Sequence, residues 1–407
     1  MRFSEFVEDG PWSFMTGGTL FEQINNKDHN SDLPILAITQ EHGAVPRDQI
    51  DYHVSVSEKS IGNYKVVEPG DFIISLRSFQ GGIEFSRYLG LCSPAYVILR
   101  LRQKGIHLYF KHILKTERFI QELSREIEGI RDGKMVSYKQ FSSLRVPLPP
   151  SFGEQEKIAE CLSSVDELIN SEEMKLDALK EQKTGLMQNL FPTNGDLVPN
   201  LRFSEFVDSG PWSKKEIRDF AHFVSGYGFP KKYQGKKEGQ FPFYKVSDIS
   251  NSLIAGEHNI SRAANYIDHP DLKELRAQLV PVGSTIFARI GEAIRLNRRV
   301  MTTIPCVIDN NVGGLKCIEG QATDLFVYYV SQLLNLSEYS GGAVPSVNKS
   351  TIEQIPVACP ELSEQERITD CLSTIDDLIA WQTKYVTQLR VHKNGLLHRL
   401  FPEYQGV

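Results

Sequence analysis

The chain has 407 residues, of which 41% are hydrophobic and 24% charged, and its formal net charge is −6. This length predicts two or three domains, and the composition is typical of a globular protein with sizeable cores. No apolar run reaches the roughly 18 residues of a membrane-spanning helix, and no basic head precedes an apolar stretch at the N-terminus. We therefore expect a cytoplasmic protein without a membrane partner.

The chain begins with a twelve-residue sequence motif that occurs twice, and we call each copy an opening phrase. RFSEFVEDGPWS at residues 2–13 returns as RFSEFVDSGPWS at residues 202–213, with ten of twelve residues identical. In each copy two phenylalanines are spaced for one apolar face, and a tryptophan follows. We predict that these aromatic residues pack in cores and do not contact a ligand: Phe3, Phe6, Trp12, Phe203, Phe206 and Trp212.

We call the region between an opening phrase and the long helix that follows it a body. The first body combines strand-like runs such as DFIISL and AYVILRLR with a helical stretch at 107–127. This mixture, bounded by Gly, Pro and Asn turns, predicts a compact α+β unit. Two loops, RSFQGGIEFSR and RDGKMVSYKQF, carry side chains of the kinds that contact nucleic acid, with a purely structural role as the alternative. The candidates are Arg77, Gln80, Arg87, Lys134, Tyr138 and Lys139.

A long helix closes the first copy, and a second one closes the second copy. Apolar residues recur at a four-three spacing over about 48 Å of helix, at ~1.5 Å per residue. The seam is Ile158, Leu162, Val165, Ile169, Leu176, Leu179, Leu186 and Leu190, repeated as Ile368, Leu372, Ile375, Ile379, Val386, Leu389, Leu396 and Leu400. Ser151 to Glu154 and Ser363 to Glu366 have capping-box spacing. The narrow seam favours pairing of the two helices in a coiled coil, and packing of each helix on its own body is the alternative.

The second body lies between the helices and contains the strand-like runs STIFARI and GGLKCI and a helical stretch at 323–337. YGFPKKYQGKKEGQFPFYK interleaves lysines with aromatic residues, and ARIGEAIRLNRR is rich in arginine. Lysines would contact phosphates and arginine forks could read guanine edges, whereas a solvated charged loop is the alternative. The candidates are Tyr227, Lys231, Lys232, Tyr233, Lys236, Arg289, Arg295, Arg298, Asn348 and Lys349.

The chain is thus a duplication with a repeated frame and two diverged bodies. EQEKIAECLSSVDELI from Glu154 returns as EQERITDCLSTIDDLI from Glu364, at an offset of 210. We predict the first body at 1–150, the first helical segment at 151–192, a linker and the second body at 193–360, and the second helical segment at 361–407. Because the net charge is 0 over residues 1–150 and −6 over residues 151–200, the bodies can carry local basic faces.

Motifs for catalysis are missing from the sequence. It contains no Asn/Asp-Pro-Pro-aromatic loop for amine methylation, no glycine-rich phosphate loop, no GxSxG and no HExxH. The six cysteines form no CxxC pair and have no histidine at zinc spacing, so we interpret them as buried thiols. We therefore predict a non-catalytic protein that holds no metal.

These features together resemble the specificity (S) subunit of type I restriction-modification systems. The resemblance covers essentially the whole chain and depends on the Arg-Phe opening, VPLPPSFGEQEKI with its DELI, and the second copy IPVACPELSEQERI, which lacks the double proline. It implies two α+β target-recognition domains separated by two long antiparallel helices, in a pseudo-two-fold, circular arrangement. The first phrase would then dock near Pro402 as the second docks near Pro192.

The resemblance also implies a function and partners. Each recognition domain would read one half-site of a bipartite target in double-stranded DNA, and the paired helices would act as a ruler and bind two methyltransferase (M) subunits. Restriction (R) subunits are a further expected partner, and S-adenosylmethionine, ATP and Mg would be bound only by partner subunits. A stand-alone DNA-binding regulator and a non-catalytic protein-interaction scaffold are the alternatives.

Overall fold

The computed structural model describes residues 2–50, 61–76, 78–103, 105–125, 136–193, 195–342 and 344–402. The chain forms two compact units. The first is Met1–Asn170 with Gln388–Val407, and the second is Ser171–Thr387. Each unit therefore contains one body and a part of both long helices.

The first unit is a mixed α+β structure. Its strands are β1 (Ser13–Thr16), β2 (Phe21–Ile24), β3 (Leu36–Thr39), β4 (Gly43–Pro46), β5 (Lys65–Val67), β6 (Phe72–Ile74), β7 (Glu84–Phe85), β8 (Gly90–Cys92), β9 (Val97–Leu101) and β10 (Arg145–Leu148). A four-stranded sheet has the order β2-β9-β6-β7, and two-stranded ladders join β1 to β10, β3 to β4 and β5 to β8. Its shorter helices are Gly17–Leu20, Ser78–Gly81, His107–Ile113, Glu117–Arg125 and Tyr138–Ser143.

The core of the first unit lies where this sheet meets the helices. The predicted strand run around β9 is apolar because β9 is flanked on both sides, and Ile98 and Leu99 are fully buried. Phe21 stacks edge to face against Phe72 and Phe110 at ring-centroid distances of 5.4 and 5.2 Å. These aromatic contacts hold the sheet against the helix His107–Ile113.

The second unit repeats this plan with the same number of strands, ten, but its main sheet has five strands instead of four. Its strands are β11 (Ser213–Glu216), β12 (Ala221–Ser225), β13 (Phe241–Tyr244), β14 (Asn259–Ile260), β15 (Tyr266–Ile267), β16 (Thr285–Ala288), β17 (Arg299–Thr302), β18 (Val307–Ile308), β19 (Val312–Cys317) and β20 (Pro356–Cys359). The sheets are β12-β19-β16-β17-β14, β15-β13-β18 and the pair β11-β20. The shorter helices are Ile217–Phe220, Val246–Ile254, His269–Leu275, Asp324–Leu333 and Lys349–Glu353. The predicted α+β class is confirmed for both bodies.

Each long helix has 39 residues, Phe152–Leu190 and Leu362–Leu400, or about 58 Å at ~1.5 Å per residue. Ser151 caps the first helix, because its Oγ accepts from Glu154 N at 3.3 Å. The predicted second capping box was wrong. Ser363 already lies inside the helix, and the backbone carbonyl of Glu361, the repeat equivalent of Ser151, accepts from the N–H groups of the first turn.

The two helices run antiparallel within each unit, as predicted. In the second unit Gln382 Nε2 donates to Glu172 Oε2 at 2.8 Å, and Lys183 Nζ lies 2.7 Å from Asp376 Oδ1. Later residues of the first helix thus meet earlier residues of the second. In the first unit, Ile158 near the start of one helix shares a core with Leu400 at the end of the other.

The seam residues divide between two kinds of packing. Those fully or largely buried are Ile158, Leu162, Ile169, Leu176, Leu190, Ile368, Leu372, Ile375, Ile379, Val386 and Leu400, whereas Val165, Leu179, Leu186, Leu389 and Leu396 are half-buried. Near the helix ends the seam enters the body cores, with Leu162 in the first unit and Leu372 in the second. In the middle, Leu176 packs on Ile375 and Ile379 of the other helix. The helices therefore use one seam both for each other and for the bodies.

The repeated opening phrase clamps each body to the start of a long helix. Arg2 donates from Nε and Nη2 to the buried Glu154 carboxylate at 2.7 and 2.6 Å, and from Nη1 to Gly10 O at 2.6 Å. Arg202 makes the same contacts to the Glu364 carboxylate, at 2.7 Å each, and to the Gly210 carbonyl. Bidentate guanidinium pairs of this kind are strong and fix geometry.

Phe3, Trp12, Phe203 and Trp212 pack on the body cores, as predicted, whereas Phe6 and Phe206 are half-buried and belong to neither core. The Trp12 ring lies 6.4 Å from that of Phe401, and the Trp212 ring lies 6.0 Å from that of Phe191. Phe3 packs on the core that contains Leu400, and Phe203 on the core that contains Leu190. Each opening phrase therefore docks beside the end of a long helix, the first one next to Pro402.

Candidate nucleic-acid interface

In the second unit, several candidate residues lie at one edge of the five-stranded sheet. The antiparallel register puts Ser225 beside Gly313, Ala288 beside Val312, and Phe287 beside Arg299. The end of β12, the end of β16 and the start of β17 therefore share this edge. It brings together Tyr227, Arg289 and Arg298, which follow or precede those strands.

Backbone hydrogen bonds tie the loops at this edge into one surface. Asn310 N donates to Tyr227 O at 2.9 Å, and Val347 N donates to Arg289 O at 2.9 Å. Arg289 Nε donates to Asn310 O at 3.1 Å, which leaves the rest of its guanidinium for other partners. The reading edge of the second unit, as we call it, consists of residues 226–228, 289–298, 309–311 and 344–349.

The arginines of this edge differ in their freedom. Arg298 is half-buried and donates from Nη1 to Ser250 Oγ at 2.7 Å, whereas Arg295 is exposed beside Glu292 at 3.2 Å. Arg299, which is adjacent in sequence, is 3% exposed and donates to backbone carbonyls such as Ser331 O at 3.2 Å. Burial lowers the pKa of Arg299 to about 9. It is a core residue and belongs to the sheet.

Asn348 and Lys349 join the reading edge through the loop that pairs with Ile290. Asn348 is the N-cap of the helix Lys349–Glu353, and its Oδ1 accepts from Thr351 N at 2.8 Å. Both side chains are exposed, and Lys349 Nζ lies 3.6 Å from Glu353. The capping role occupies the Asn348 oxygen, so its amide N–H groups are the part that can face a ligand.

Beyond Tyr227, the lysine-aromatic stretch is held by acidic residues of the helix His269–Leu275 and of its N-cap. Lys232 pairs with Glu274, and Lys236 pairs with Asp268 at the N-cap. Tyr233 is buried and donates to Glu274 at 2.5 Å. Lys231 is exposed at the start of the stretch. These pairs have local structural roles, which sequence spacing alone does not reveal because the acidic partners are about 40 residues away.

In the first unit the candidates are dispersed. Gln80 is exposed beyond the end of β6, which pairs with β9 as β16 pairs with β19. Arg87 lies past β7 at the opposite edge, because Phe85 pairs with Phe72 at the start of β6. Arg77 and Lys134 lie outside the residues that the structure describes.

Tyr138 and Lys139 open the helix Tyr138–Ser143, which Ser137 caps. Tyr138 is half-buried and donates from its hydroxyl to Phe21 O at 2.9 Å, so it holds the helix to β2. Lys139 is exposed. The lysine is therefore the one of the two whose side chain faces solvent.

Asn310 and Asn311 at the turn before β19 are site residues that sequence reasoning missed. Asn310 is exposed between Tyr227 and Arg289, where an amide can donate and accept. The signal was the Asp-Asn-Asn run between two apolar strands, which reads as an ordinary turn. Only the strand register shows that this turn belongs to the same edge as Arg289.

In each unit a carboxylate of a long helix joins the helices to the body; it is half-buried at Asp166 and buried at Asp376. We call Asp166 and Asp376 with their partners the carboxylate joints. In the first unit Lys111 of the body and Lys393 of the second helix each lie 2.6 Å from Asp166. Burial alone would raise the pKa of Asp166, but hydrogen bonds from the two lysines hold it below its usual value. Next to this joint, His112 is 3.1 Å from Ser163 Oγ, and burial lowers its pKa to about 3.

The joint of the second unit has the same carboxylate position with other donors. Tyr329 donates from its hydroxyl to Asp376 at 2.8 Å, and Lys183 Nζ lies 2.7 Å away. His258 Nε2 lies 3.7 Å from Asp376, and burial lowers the pKa of this histidine. These joints fix where each body sits on the helices of its own unit.

The described residues provide neither a cluster of metal ligands nor a membrane-spanning helix. Within the described ranges, no group of three or more His, Cys, Asp or Glu side chains is placed to hold a metal ion. None of the helices in that part of the chain combines the length and apolar character that crossing a bilayer requires. The arrangement offers guanidinium, ammonium and amide groups, which are donors for anionic and heterocyclic ligands.

The repeated frame with its two α+β bodies is shared with a class of protein, the DNA specificity subunits. The family model for the type I restriction modification DNA specificity domain matches residues 14–181 and 210–389, which together span most of the chain. The chain therefore belongs to this family, and it is a type I specificity subunit with two target-recognition domains.

Curated relatives come from Methanocaldococcus jannaschii. The type I restriction enzyme MjaVIII specificity subunit is 23% identical over 362 residues, covering 85% of this chain and 81% of the relative. A sequence designated MjaX is 25% identical over 312 residues, which cover 75% of this chain and 66% of its own length, just under two thirds.

Solved structures share the fold along the whole chain. The type I restriction-modification S subunit from M. genitalium has a TM-score of 0.60 at 14% identity and covers 98% of both chains. A chain from a study of complex assembly and conformational transition of the type I R-M system has a TM-score of 0.55 at 14% identity, covering 96% of this chain and 97% of that one. These likenesses show the predicted fold class.

Proposed function

We propose that this chain reads a bipartite target in double-stranded DNA, with one half-site for each recognition domain, and that its long helices dock two methyltransferase subunits. The observation that carries the proposal is the pattern of divergence. The two units repeat the clamps of the opening phrases and the buried helix seam, while the loops beyond the equivalent sheet strands differ in sequence. A frame with two different reading surfaces suits two different half-sites.

The chemistry of the reading edge supports base recognition in the second half-site. Arg289 can present a guanidinium fork to guanine O6 and N7, and amide groups such as that of Asn310 suit adenine N6 and N7. Exposed cations such as Lys231 and Arg295 would contact phosphates and position the domain. In the first domain Gln80 and Lys139 are the described candidates for the same two tasks.

Under this proposal the chain is non-catalytic and needs no cofactor of its own. Methyl transfer with S-adenosylmethionine, and DNA cleavage with ATP and Mg, would belong to the methyltransferase subunits and the restriction subunits. Because the substrate is chromosomal and invading DNA, the complex would work in the cytoplasm.

The experiment is to co-express the full chain with its cognate methyltransferase subunits and map the methylated bases in the host genome. We expect one split motif with a fixed gap. Arg289→Ala should relax or weaken one half-site by about 10- to 100-fold, the value of one lost bidentate base contact. Arg262→Ala is the matched control, because Arg262 is exposed beyond β14 at the other edge of the same sheet.

Four results would contradict the proposal. A continuous motif would remove the division between half-sites, and equal weakening of both half-sites by Arg289→Ala would remove the division of labour. Tight sequence-specific binding by the isolated chain in a gel shift would favour a stand-alone regulator. Indifference to DNA even with the methyltransferase subunits present would favour a protein-interaction scaffold.

A further inference from the structure

A buried polar pair interrupts the apolar seam in the second unit. Gln382 Nε2 donates to Glu172 Oε2 at 2.8 Å and to the Glu172 backbone carbonyl at 2.9 Å. Glu172 is 7% exposed and Gln382 is 4% exposed. Lys175, whose side chain is 61% exposed, lies 2.7 Å from the other carboxylate oxygen, Oε1. Oε2 therefore depends on the amide of the opposite helix for its hydrogen bond.

This pair occupies a special place in the duplication. The offset of 210 that relates Glu154 to Glu364 also relates Glu172 to Gln382, so this seam position faces its own repeat equivalent. At such a position two identical helices would bring identical side chains together. A carboxylate and an amide are complementary there only because the two copies differ.

The other polar contacts between the helices carry no such information. Asp166 meets Lys393 in the first unit, and their repeat equivalents Asp376 and Lys183 meet in the second. We call the first long helix, Phe152–Leu190, first-type and the second, Leu362–Leu400, second-type. If two first-type helices from two chains paired, Asp166 of each would meet Lys183 of the other, so the contact would join the same charges. The helix ends share the Leu-Phe-Pro sequence, which closes both helices at Pro192 and Pro402.

We propose that Glu172 and Gln382 select unlike pairing, so that a first-type helix accepts a second-type helix and rejects another first-type helix. Two first-type helices would place Glu172 against Glu172, where the two Oε2 atoms face each other in a buried site and neither can donate, because each Lys175 contacts Oε1 of its own helix. Two second-type helices would place amide against amide, which can hydrogen-bond. Penalising one like pair is sufficient, because every second–second pair would leave first-type helices with each other.

The inference deepens the proposed function and in that respect depends on it. Unlike pairing gives every particle one recognition domain of each kind, hence two different half-sites. Like pairing would give two copies of one reading surface and a target with identical half-sites in inverted orientation. A single seam position would thereby help to determine the symmetry of the target. The pairing preference itself is measurable without DNA.

The test uses the full chain with a protease site inserted after Gly195, which is exposed in the linker. The purified chain is cut, unfolded in urea, refolded and weighed by native mass spectrometry. Equal pairing free energies would give about half unlike pairs and about a quarter of each like pair. For the wild type we expect first–first pairs at least about tenfold below that level, and for Glu172→Gln a rise to near that level.

Glu181→Gln is the matched control, because Glu181 is exposed on the same helix and the variant loses the same charge. It should leave the wild-type distribution unchanged. First–first pairs at the statistical level in the wild type, or the same low level in wild type and Glu172→Gln, would overturn the inference.

A second measurement on the uncut chain covers the case in which the cut protein does not refold. Gln382→Glu puts two carboxylates in the buried site, so its thermal midpoint should fall more at pH 8 than at pH 5. Adding Glu172→Gln to that variant restores one carboxylate opposite one amide and should recover most of the loss. A loss that is independent of pH, or that the second substitution does not recover, would overturn the inference. A failed pairing test with a split DNA motif would reject the inference alone, and the reverse result would reject the proposed function alone.

Discussion

The carboxylate joints of the two units place the same acid in the same position of the repeat and satisfy it differently. Asp166 takes two ammonium groups, from Lys111 and Lys393, whereas Asp376 takes one ammonium and one phenol, from Lys183 and Tyr329. The lysine from the long helix is common to both joints, and the donor from the body is the part that changed. The boundary between the repeated frame and the diverged body therefore runs through a single hydrogen-bonded cluster.

This difference shows which contacts the architecture requires. The arginine contacts between helix and opening phrase repeat atom by atom, as in Arg2 with Glu154 and Arg202 with Glu364. Contacts between helix and body repeat only in geometry. The side chain that a recognition domain contributes can therefore differ in type, provided that it donates one hydrogen bond to the helix carboxylate.

The largest effects should come from frame residues at the helix ends, and they should be equal in the two units. Leu162 and Leu372 are repeat equivalents with 0% exposure in the two body cores. Leu162→Ala and Leu372→Ala should each cost about 3–5 kcal/mol of the stability of their own unit. Urea unfolding followed by hydrogen exchange on each unit measures this. Leu168→Ala, at a 40% exposed position, is the control, and losses that differ by more than about 2 kcal/mol would break the equivalence.

The two carboxylate joints should lose different amounts of stability when their aspartate is replaced by asparagine. Asp376→Asn leaves Lys183, whose side chain is 13% exposed, without its carboxylate, and should cost about 2–4 kcal/mol. Asp166→Asn leaves Lys111 and Lys393, which are 21% and 28% exposed and can reach water, and should cost about 1–2 kcal/mol. The measurement is the same unfolding experiment at neutral pH. The opposite ranking would mean that the contacts of Asp166 with two lysines contribute more stability than the contacts of Asp376 with one lysine and one tyrosine.

One pH dependence of stability should come from Glu84, which has no carboxylate counterpart in the second unit. Burial raises the pKa of Glu84 from 4.5 to about 7 although Lys115 lies 2.5 Å away, and Val300 occupies the corresponding place beside Ile286 in the second unit. The folded state therefore binds this proton more tightly than the unfolded state. The contribution of Glu84 to the free energy of unfolding is full below pH ~4.5 and falls by at most about 3 kcal/mol as pH rises to ~7.

Glu84→Gln should remove this slope, measured as the difference between variant and wild type in unfolding experiments at pH 5 and pH 8. His112 acts with the opposite sign, because its lowered pKa makes stability fall as pH drops below 6.5, and the difference measurement cancels it. Glu160→Gln, at an exposed position of the same unit, is the control. An unchanged slope in Glu84→Gln would assign the pH dependence elsewhere.

The sequence predicted the frame well because its signals are local or repeated. The seam from Ile158 to Leu190, the helix ends at Leu-Phe-Pro and the core role of Trp12 followed from periodicity and from the second copy. The reading edge was harder. Lys232 and Lys236 looked like phosphate contacts until the fold brought Glu274 and Asp268 to them, and Arg298 and Arg299 differ in burial only through strand register. Contacts made across tens of residues are set by tertiary packing, which no short motif encodes.

The smallest expected effect tests whether the two clamps are as alike as their arginines suggest. Trp12 Nε1 donates to Glu154 Oε1 at 3.2 Å, whereas the buried Trp212 Nε1 has no hydrogen-bond partner among the described residues. Trp12→Phe loses a hydrogen bond as well as ring area, but Trp212→Phe loses ring area and also removes an unsatisfied N–H group. Trp12→Phe should therefore be more destabilising by about 1 kcal/mol, measured by urea unfolding of each unit. Equal losses would mean that Arg2 alone satisfies Glu154, in which case the first clamp works by the same two side chains as the second.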